Sequence, residues 1–266
     1  MDNLQEHFSG FYNTPHLFNS EVFGLKPYLT ISSKTPVFNT LISKNYRLGQ
    51  LVERFVSCEL NQHKTIKILS ENYQVNKDKI TLGELDAIIS DKNEAIHLEI
   101  QFKFYLYDAS LGNNDINCCI GPNRKDSLLE KLTKLKEKQL PLLYKDETKP
   151  LLDSLLLKSK NITQNIYFKA QLFLPYGENI AFTNLNLNCV YGFYFNYNAL
   201  DKFKDCKFYL PKKIDWLLDV NANVSWNTLE SIKPQLDIYY LEKYTPLVWL
   251  KFPNGKISKC FVTFWN

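Results

Sequence analysis

Two neighbouring stretches of the chain alternate acidic and apolar residues in a pattern that could build a cation site. Glu84 and Asp86 are two positions apart, and Glu99, Gln101 and Lys103 follow at the same spacing. Residues two apart share one face of a β-strand. Carboxylates from adjacent strands can bind a hard divalent cation such as Mg²⁺ or Mn²⁺, and a lysine beside them can hold an anion. This combination is typical of a metal-dependent phosphodiesterase.

A third acid precedes these stretches on a predicted helix. Glu53 lies one position from the apolar face of residues 46–60. We therefore expect Asp86 and Glu99 to be direct ligands and Glu53 to be a third or more distant acid of the same cluster. The alternative is that all three are solvated surface acids, which the sequence favours for Glu53. For the strand acids, same-face carboxylates repel each other unless a cation lies between them, which favours the site.

The elements that must position these acids follow one another in an α-β-β-β-α-β order. The pattern predicts a helix over 46–60, strands over 66–75, 80–90 and 95–107, a helix from Gly121 to Leu140 stopped by Pro141, a short helix over 151–158, and a strand over 166–174. The fold class is therefore α/β (α+β) with a mixed sheet over residues 46–175. Residues 1–45 are expected to be an irregular arm packed on this core. Residues 176–266 are expected to form a β-rich extension with aromatic strands over 189–197, 207–210, 246–252 and 259–265.

The composition restricts the class of protein. With 266 residues, 45% of them hydrophobic, the chain can build a substantial core, and its net charge of +4 permits nucleic acid as a partner without requiring it. The six cysteines contain no C-x-x-C pair, so reduced thiols in the cytoplasm are expected, and structural zinc is not. No signal peptide and no apolar run of about 20 residues is present, so we expect no membrane anchor.

The order of elements, with Glu53, Asp86 and Glu99-Ile100-Gln101, resembles the PD-(D/E)xK nuclease superfamily. That resemblance implies a restriction-endonuclease-like core, strand acids that hold Mg²⁺, and a residue two past the second acid that helps to place the attacking water. The chain from about Leu4 to Trp265 also resembles the bacterial family of domain of unknown function 1853. The residues that carry this second resemblance are Leu48-Gly49 with Glu53, Thr81-Leu82-Gly83-Glu84-Leu85-Asp86, Lys103-Phe104-Tyr105-Leu106, Gly121-Pro122-Asn123 with Asp126, and Lys138-Gln139-Leu140.

The chain departs from the superfamily pattern at the lysine. Gln101 stands two past Glu99, where the superfamily has its lysine, and Gln carries no charge. The family pattern places its lysine four past the acid, which is Lys103, so we expect Lys103 to hold the scissile phosphate or the water and Gln101 to assist. Gln139 weakly matches the glutamine of a Gln–Tyr pair found in some nucleases of the superfamily.

Other polar residues allow two readings. Asn123 and Arg124 follow Gly121-Pro122 at the predicted helix start, where they could bind an anion or Asn123 could simply cap the helix. The lysines of this helix are expected on a solvated face. His97 is expected in a core or surface position, and the tryptophans of the extension are expected in the core.

Three functions remain open at this point. The first is a Mg²⁺-dependent nuclease that acts on DNA or RNA. The second is the same fold, weakened at Gln101, binding nucleic acid or a protein partner without cutting it. The third is an interaction protein that uses its aromatic C-terminal sheet.

Overall fold

Strand alternation and helical amphipathicity together produce an α+β structure with parallel and antiparallel strand pairs. A computed structural model describes residues 4–30, 36–39 and 46–266. The chain divides into two compact units. Unit 1 contains Met1–Thr14, Lys103–Leu128 and Ala170–Asn266, and unit 2 contains Pro15–Phe102 and Leu129–Lys169. The expected extension, 176–266, lies within unit 1, whereas the expected core, 46–175, contributes to both units.

Unit 2 is built on three consecutive antiparallel strands. These are β1 (Ile66–Lys77), β2 (Ile80–Asp91) and β3 (Glu94–Tyr107, up to Phe102 in this unit). The turns that join them contain residues with left-handed backbone, including Asp78 with φ 54° and Asn93 with φ 70°, which asparagine and aspartate tolerate better than most residues. In the register of β2 and β3, Ala87 faces Leu98. The predicted strands are confirmed, each one or two residues longer than expected.

Helices complete unit 2. Helix α2 (Leu48–Asn61), predicted over 46–60, packs on β1 and buries Leu51, Val52, Phe55 and Val56. The short helix predicted over 151–158 is α4 (Lys149–Ser154), which has Pro150 in its first turn, where proline is well tolerated. The predicted strand over 166–174 is β5 (Ile162–Pro175), whose part up to Lys169 lies beside β3 in this unit.

The helix predicted from Gly121 to Leu140 is shorter and less regular than expected. Residues 121–126 form a turn instead, in which the Gly121 and Arg124 amides donate to the Asp126 and Gly121 carbonyls, and Arg124 has φ 55°. Helix α3 is Leu128–Lys134, and it continues as a π-helical turn over Leu135–Gln139 and a 3₁₀ turn over Leu140–Tyr144. Pro141 therefore lies inside a helical segment, at the start of the 3₁₀ turn, where its missing amide costs little.

Unit 1 contains a mixed sheet. Its strands are the rest of β3, β4 (Cys119–Ile120), the rest of β5, β6 (Val190–Asn196), β7 (Lys207–Tyr209), β8 (Leu247–Lys251) and β9 (Ile257–Thr263). Strands β5, β6 and β9 pair in parallel, whereas β9, β8 and β7 pair antiparallel. Three of the four predicted strands of the extension are confirmed with shorter bounds, and the fourth, predicted over 259–265, lies two residues earlier. Trp216 and Trp249 are buried in the core as expected, whereas Trp226 and Trp265 are only partly buried, so for them the expectation is wrong.

Two helices of unit 1 were not predicted. Helix α1 (Leu4–Asn13) replaces part of the expected irregular arm, because Phe8 and Phe11 lie three apart and are both fully buried. Helix α5 (Leu229–Leu241) contains Pro234, which the sequence pattern would place at a helix end. The remainder of the expected arm includes residues 31–35 and 40–45, which lie outside the described residues.

Candidate metal centre

Asp86 and Glu99 face each other across β2 and β3. They are the pair that follows Ala87 and Leu98 in the antiparallel register, and the charge of the Glu99 carboxylate acts on the Asp86 carboxylate. The Ile100 amide donates to Asp86 Oδ2 at 2.8 Å. Glu99 is 0% exposed, whereas Asp86 keeps partial contact with solvent. One edge of this carboxylate pair is therefore open to an incoming ion, and the other lies in the core.

Two donors from different elements hold the Glu99 carboxylate. His97 Nε2 lies 3.1 Å from Oε1, and Gln139 Nε2 donates to Oε2 at 2.7 Å. The Gln164 amide donates to His97 Nδ1 at 3.0 Å and to the Leu140 carbonyl at 2.6 Å. Because an amide nitrogen can only donate, Nδ1 accepts and the proton is on Nε2, which donates to Glu99. Burial lowers the pKa of His97 to about 4, so the ring is neutral.

Gln139, which matched the superfamily only weakly, and His97, which was expected in a core or surface position, both contact Glu99. His97 is in the core, and it also binds Glu99 from two positions earlier on the same strand face, which is the signal that could have identified it. No sequence signal marks Gln164 as the next member of this chain of hydrogen bonds. Together, His97 and Gln139 fix the direction of the Glu99 oxygens.

The cluster is strongly acidic. Burial, followed by repulsion from Glu99, raises the pKa of Asp86 to about 7. Burial also raises the pKa of Glu99 to about 8, against the attraction of Lys131. The pair therefore retains a proton near neutral pH in the absence of a cation, because two buried carboxylates cannot both ionise cheaply.

Glu53 belongs to the same electrostatic cluster. Its half-buried side chain projects from α2, and its pKa is raised by burial and then by the charges of Asp86 and Glu84. Glu84, partly exposed on β2, also acts on Asp86 and Glu99. Both acids thus add negative potential to the pair.

The predicted lysine is paired with an acid. Lys103, on the part of β3 in unit 1, donates to Asp126 Oδ2 at 2.6 Å. A Cβ at Gly121 would lie 2.0 Å from Asp126 Oδ1, so glycine is needed there for Asp126 to take this position. Gln101 is partly exposed on β3 in unit 2.

Asn123 and Arg124 do not open a helix, because α3 begins at Leu128. The expectation of a helix cap or a helix-start anion site is therefore wrong. Asn123 Oδ1 accepts from the Thr245 amide at 2.8 Å. Arg124 Nη1 donates to Asp108 Oδ2 at 2.9 Å, and its guanidinium lies 4.5 Å from the centre of the Trp265 ring. Both side chains tie together segments of unit 1.

The chemistry of the donor set fits a hard divalent cation. Mg²⁺ in proteins is commonly held by one or two carboxylates and several waters. Asp86 and Glu99 supply two carboxylates, and the positive charge of Lys131 does not offset the effect of burial on their pKa values. Within residues 4–30, 36–39 and 46–266, no group of three or more His, Cys, Asp or Glu side chains is arranged to hold a metal ion. Glu53 therefore acts on this pair at longer range, and the site offers two ligands.

Comparison with known proteins identifies one family. A family model described as Domain of unknown function (DUF1853) matches residues 31–252. Neither the curated proteins nor the solved structures include a match to the chain. In the part of the chain that the structure describes, no helix has the length and apolar character needed to cross a membrane.

Proposed function

Because the chain belongs to the DUF1853 family, whose activity its description leaves open, we propose from its acidic pair that it is a Mg²⁺-dependent phosphodiesterase of PD-(D/E)xK type acting on DNA or RNA. The observation that carries this proposal is the interacting pair of Asp86 and Glu99 on adjacent strands, of which Glu99 is fully buried and Asp86 is partly buried. Such a pair is costly to bury without a cation. All six cysteines, which lie in the described residues, are free thiols, which supports a reducing compartment such as the cytoplasm as part of the proposal.

The residues of the pair have separate roles in this proposal. Asp86 and Glu99 bind the ion, and His97 and Gln139 keep the Glu99 oxygens aimed at it. A bound Mg²⁺ would make a coordinated water more acidic and would neutralise charge on the phosphate. Glu53 and Glu84 strengthen the negative potential that attracts the cation. Gln101, partly exposed on the same strand as Glu99, would assist with water or phosphate.

Cleavage assays with matched variants test this function. Wild type, Asp86→Asn, Glu99→Gln and Glu94→Gln are incubated with single- and double-stranded DNA and RNA, with Mg²⁺, Mn²⁺ or a chelator. We expect cation-dependent cleavage by wild type and by Glu94→Gln, an exposed acid on the same strand. The two site variants should lose about 10²-fold or more in rate. Each removes a carboxylate that would hold the cation, and the cation stabilises the negative charge of the transition state. Cleavage that persists in Asp86→Asn would exclude this pair as the catalytic site.

Two observations favour a second function, in which the fold binds nucleic acid or a protein partner without cutting it. Gln101 lacks the charge of the superfamily lysine, and Lys103 is already paired with Asp126 at 2.6 Å. Fluorescence anisotropy of labelled oligonucleotides, measured beside the cleavage assay, separates the two functions. Binding without cleavage under any cation supports the module, whereas cation-dependent cleavage rules it out.

A further inference from the structure

A lysine on the helical segment lies beside the acidic pair. Lys131, in α3, is partly exposed, and its ammonium donates to Gln139 Oε1 at 3.4 Å. The same Gln139 amide donates through Nε2 to Glu99 Oε2 at 2.7 Å. Lys131 and Glu99 are therefore separated by a single amide group that contacts both of them.

The π-helical turn creates this arrangement. An α-helix advances about 100° per residue, so eight steps would rotate Gln139 roughly 80° past Lys131. The wider turn over Leu135–Gln139 removes most of that rotation and brings both side chains to one face. Sequence periodicity placed Lys131 on a solvated face because it assumed a regular α-helix.

We propose that Lys131 is the phosphate-binding cation of this site, with its ammonium contacting a non-bridging oxygen of the scissile phosphate beside Asp86 and Glu99. This inference rests on the proposed phosphodiesterase function and names the residue that replaces the missing lysine at Gln101. An ammonium makes a charge-assisted hydrogen bond to phosphate, about twice as strong as a neutral one.

The charges of unit 2 support this assignment. Lys131 lowers the pKa of both Asp86 and Glu99, so its charge acts on the two proposed ligands together. Lys103, by contrast, has its ammonium 2.6 Å from the Asp126 carboxylate in unit 1. A phosphate would have to compete with that carboxylate for Lys103.

The test compares three lysines. The variants are Lys131→Gln, Lys131→Arg, Lys103→Gln and Lys134→Gln, the last being an exposed lysine on the same helix that serves as control. On a substrate that wild type cleaves, Lys131→Gln should lower kcat about 10²-fold. Lys131→Arg should restore most of the rate, and Lys134→Gln should match wild type. Mn²⁺ affinity should be unchanged or tighter in Lys131→Gln, because a positive charge beside the carboxylates has been removed.

The outcomes separate this inference from the proposed function. Cleavage by Lys131→Gln at the wild-type rate, or a loss confined to Lys103→Gln, overturns it while leaving the nuclease intact. If wild type cleaves no substrate, the proposed function fails. Fluorescence anisotropy of labelled DNA and RNA oligonucleotides with Mn²⁺ then tests separately whether Lys131 contacts phosphate. Binding about 10-fold weaker in Lys131→Gln but not in Lys134→Gln then supports the contact. Equal binding by all variants, an equal loss in Lys134→Gln, or no binding by wild type overturns it.

Discussion

At the scale of single residues, the acidic pair makes the stability of the cation-free protein depend on pH. Ordinary carboxyl pKa values lie near about 4, but the folded protein raises the pKa of Asp86 to about 7 and that of Glu99 to about 8. Between these values the folded state binds more protons than the unfolded state. The free energy of unfolding contributed by this pair therefore falls as pH rises from about 4 to about 8.

Asp86→Asn should make this pH dependence shallower. The amide keeps an oxygen that can accept from the Ile100 amide, but it can no longer ionise. The measurement is urea unfolding of wild type and variant at about pH 5.5 and about pH 8 with a chelator present. Glu94→Gln should keep the wild-type dependence. Equal slopes for wild type and Asp86→Asn would show that Asp86 ionises normally.

At the scale of elements, the helical segment after the turn at 121–126 determines how Glu99 is held. The π-helical turn over Leu135–Gln139 directs Gln139 to Glu99 Oε2, and Glu99 is 0% exposed. Gln139→Leu should lower the free energy of unfolding by about 1–3 kcal/mol, because a buried acceptor loses a donor. Lys138→Leu, an exposed change in the same turn, should stay within about 0.5 kcal/mol. Urea unfolding of both variants checks this, and equal effects would remove the special role of Gln139.

Helix α5 provides an independent test at this scale. Pro234 is exposed and lies inside Leu229–Leu241, where it removes a backbone hydrogen bond at a cost of about 3 kcal/mol. Pro234→Ala should raise the free energy of unfolding by about 2 kcal/mol, after the gain in unfolded-state entropy is subtracted. Gln235→Ala, exposed on the same helix, should change it little. Denaturant melts that show no gain for Pro234→Ala would mean that the helix has already adapted to the proline.

The sequence was informative where local periodicity determines structure. Alternation located β1, β2 and β3 and placed Asp86 and Glu99 on one face, because a strand has only two faces. It did not reveal that Arg124 has a left-handed backbone conformation and that α3 begins only after it, at Leu128. It also did not reveal that α5 continues past Pro234. In α5 the buried residues Leu229, Ile232 and Leu236 follow helical spacing, so a helical signal is present in the sequence despite Pro234.

The partners of the acids were harder to predict than the acids. Gln139 is 40 positions from Glu99, and Gln164 is 67 from His97, so neither contact follows from local spacing. Lys131 acquires its place only through the π-helical turn. A sequence pattern can thus identify charged ligands, while the groups that orient them depend on tertiary structure.

At the scale of the whole molecule, the composition of the chain could not predict which segments form each unit, because unit 1 combines three separated stretches of chain. The proposed ligands, by contrast, all lie in unit 2, on β2 and β3. Any stabilisation by a cation should therefore appear first in unit 2.

We expect Mn²⁺ to stabilise the protein against unfolding. A ligand that binds only the folded state adds about 2.7 kcal/mol at 100 times its Kd, which should raise the melting temperature of wild type and of Glu94→Gln but not of Asp86→Asn. Because binding must displace the proton retained by Asp86 and Glu99, the affinity should weaken as pH falls below about 7. Hydrogen exchange with and without Mn²⁺ should show the added protection in β2 and β3. Protection spread equally over unit 1, or an equal shift in Asp86→Asn, would place the cation elsewhere.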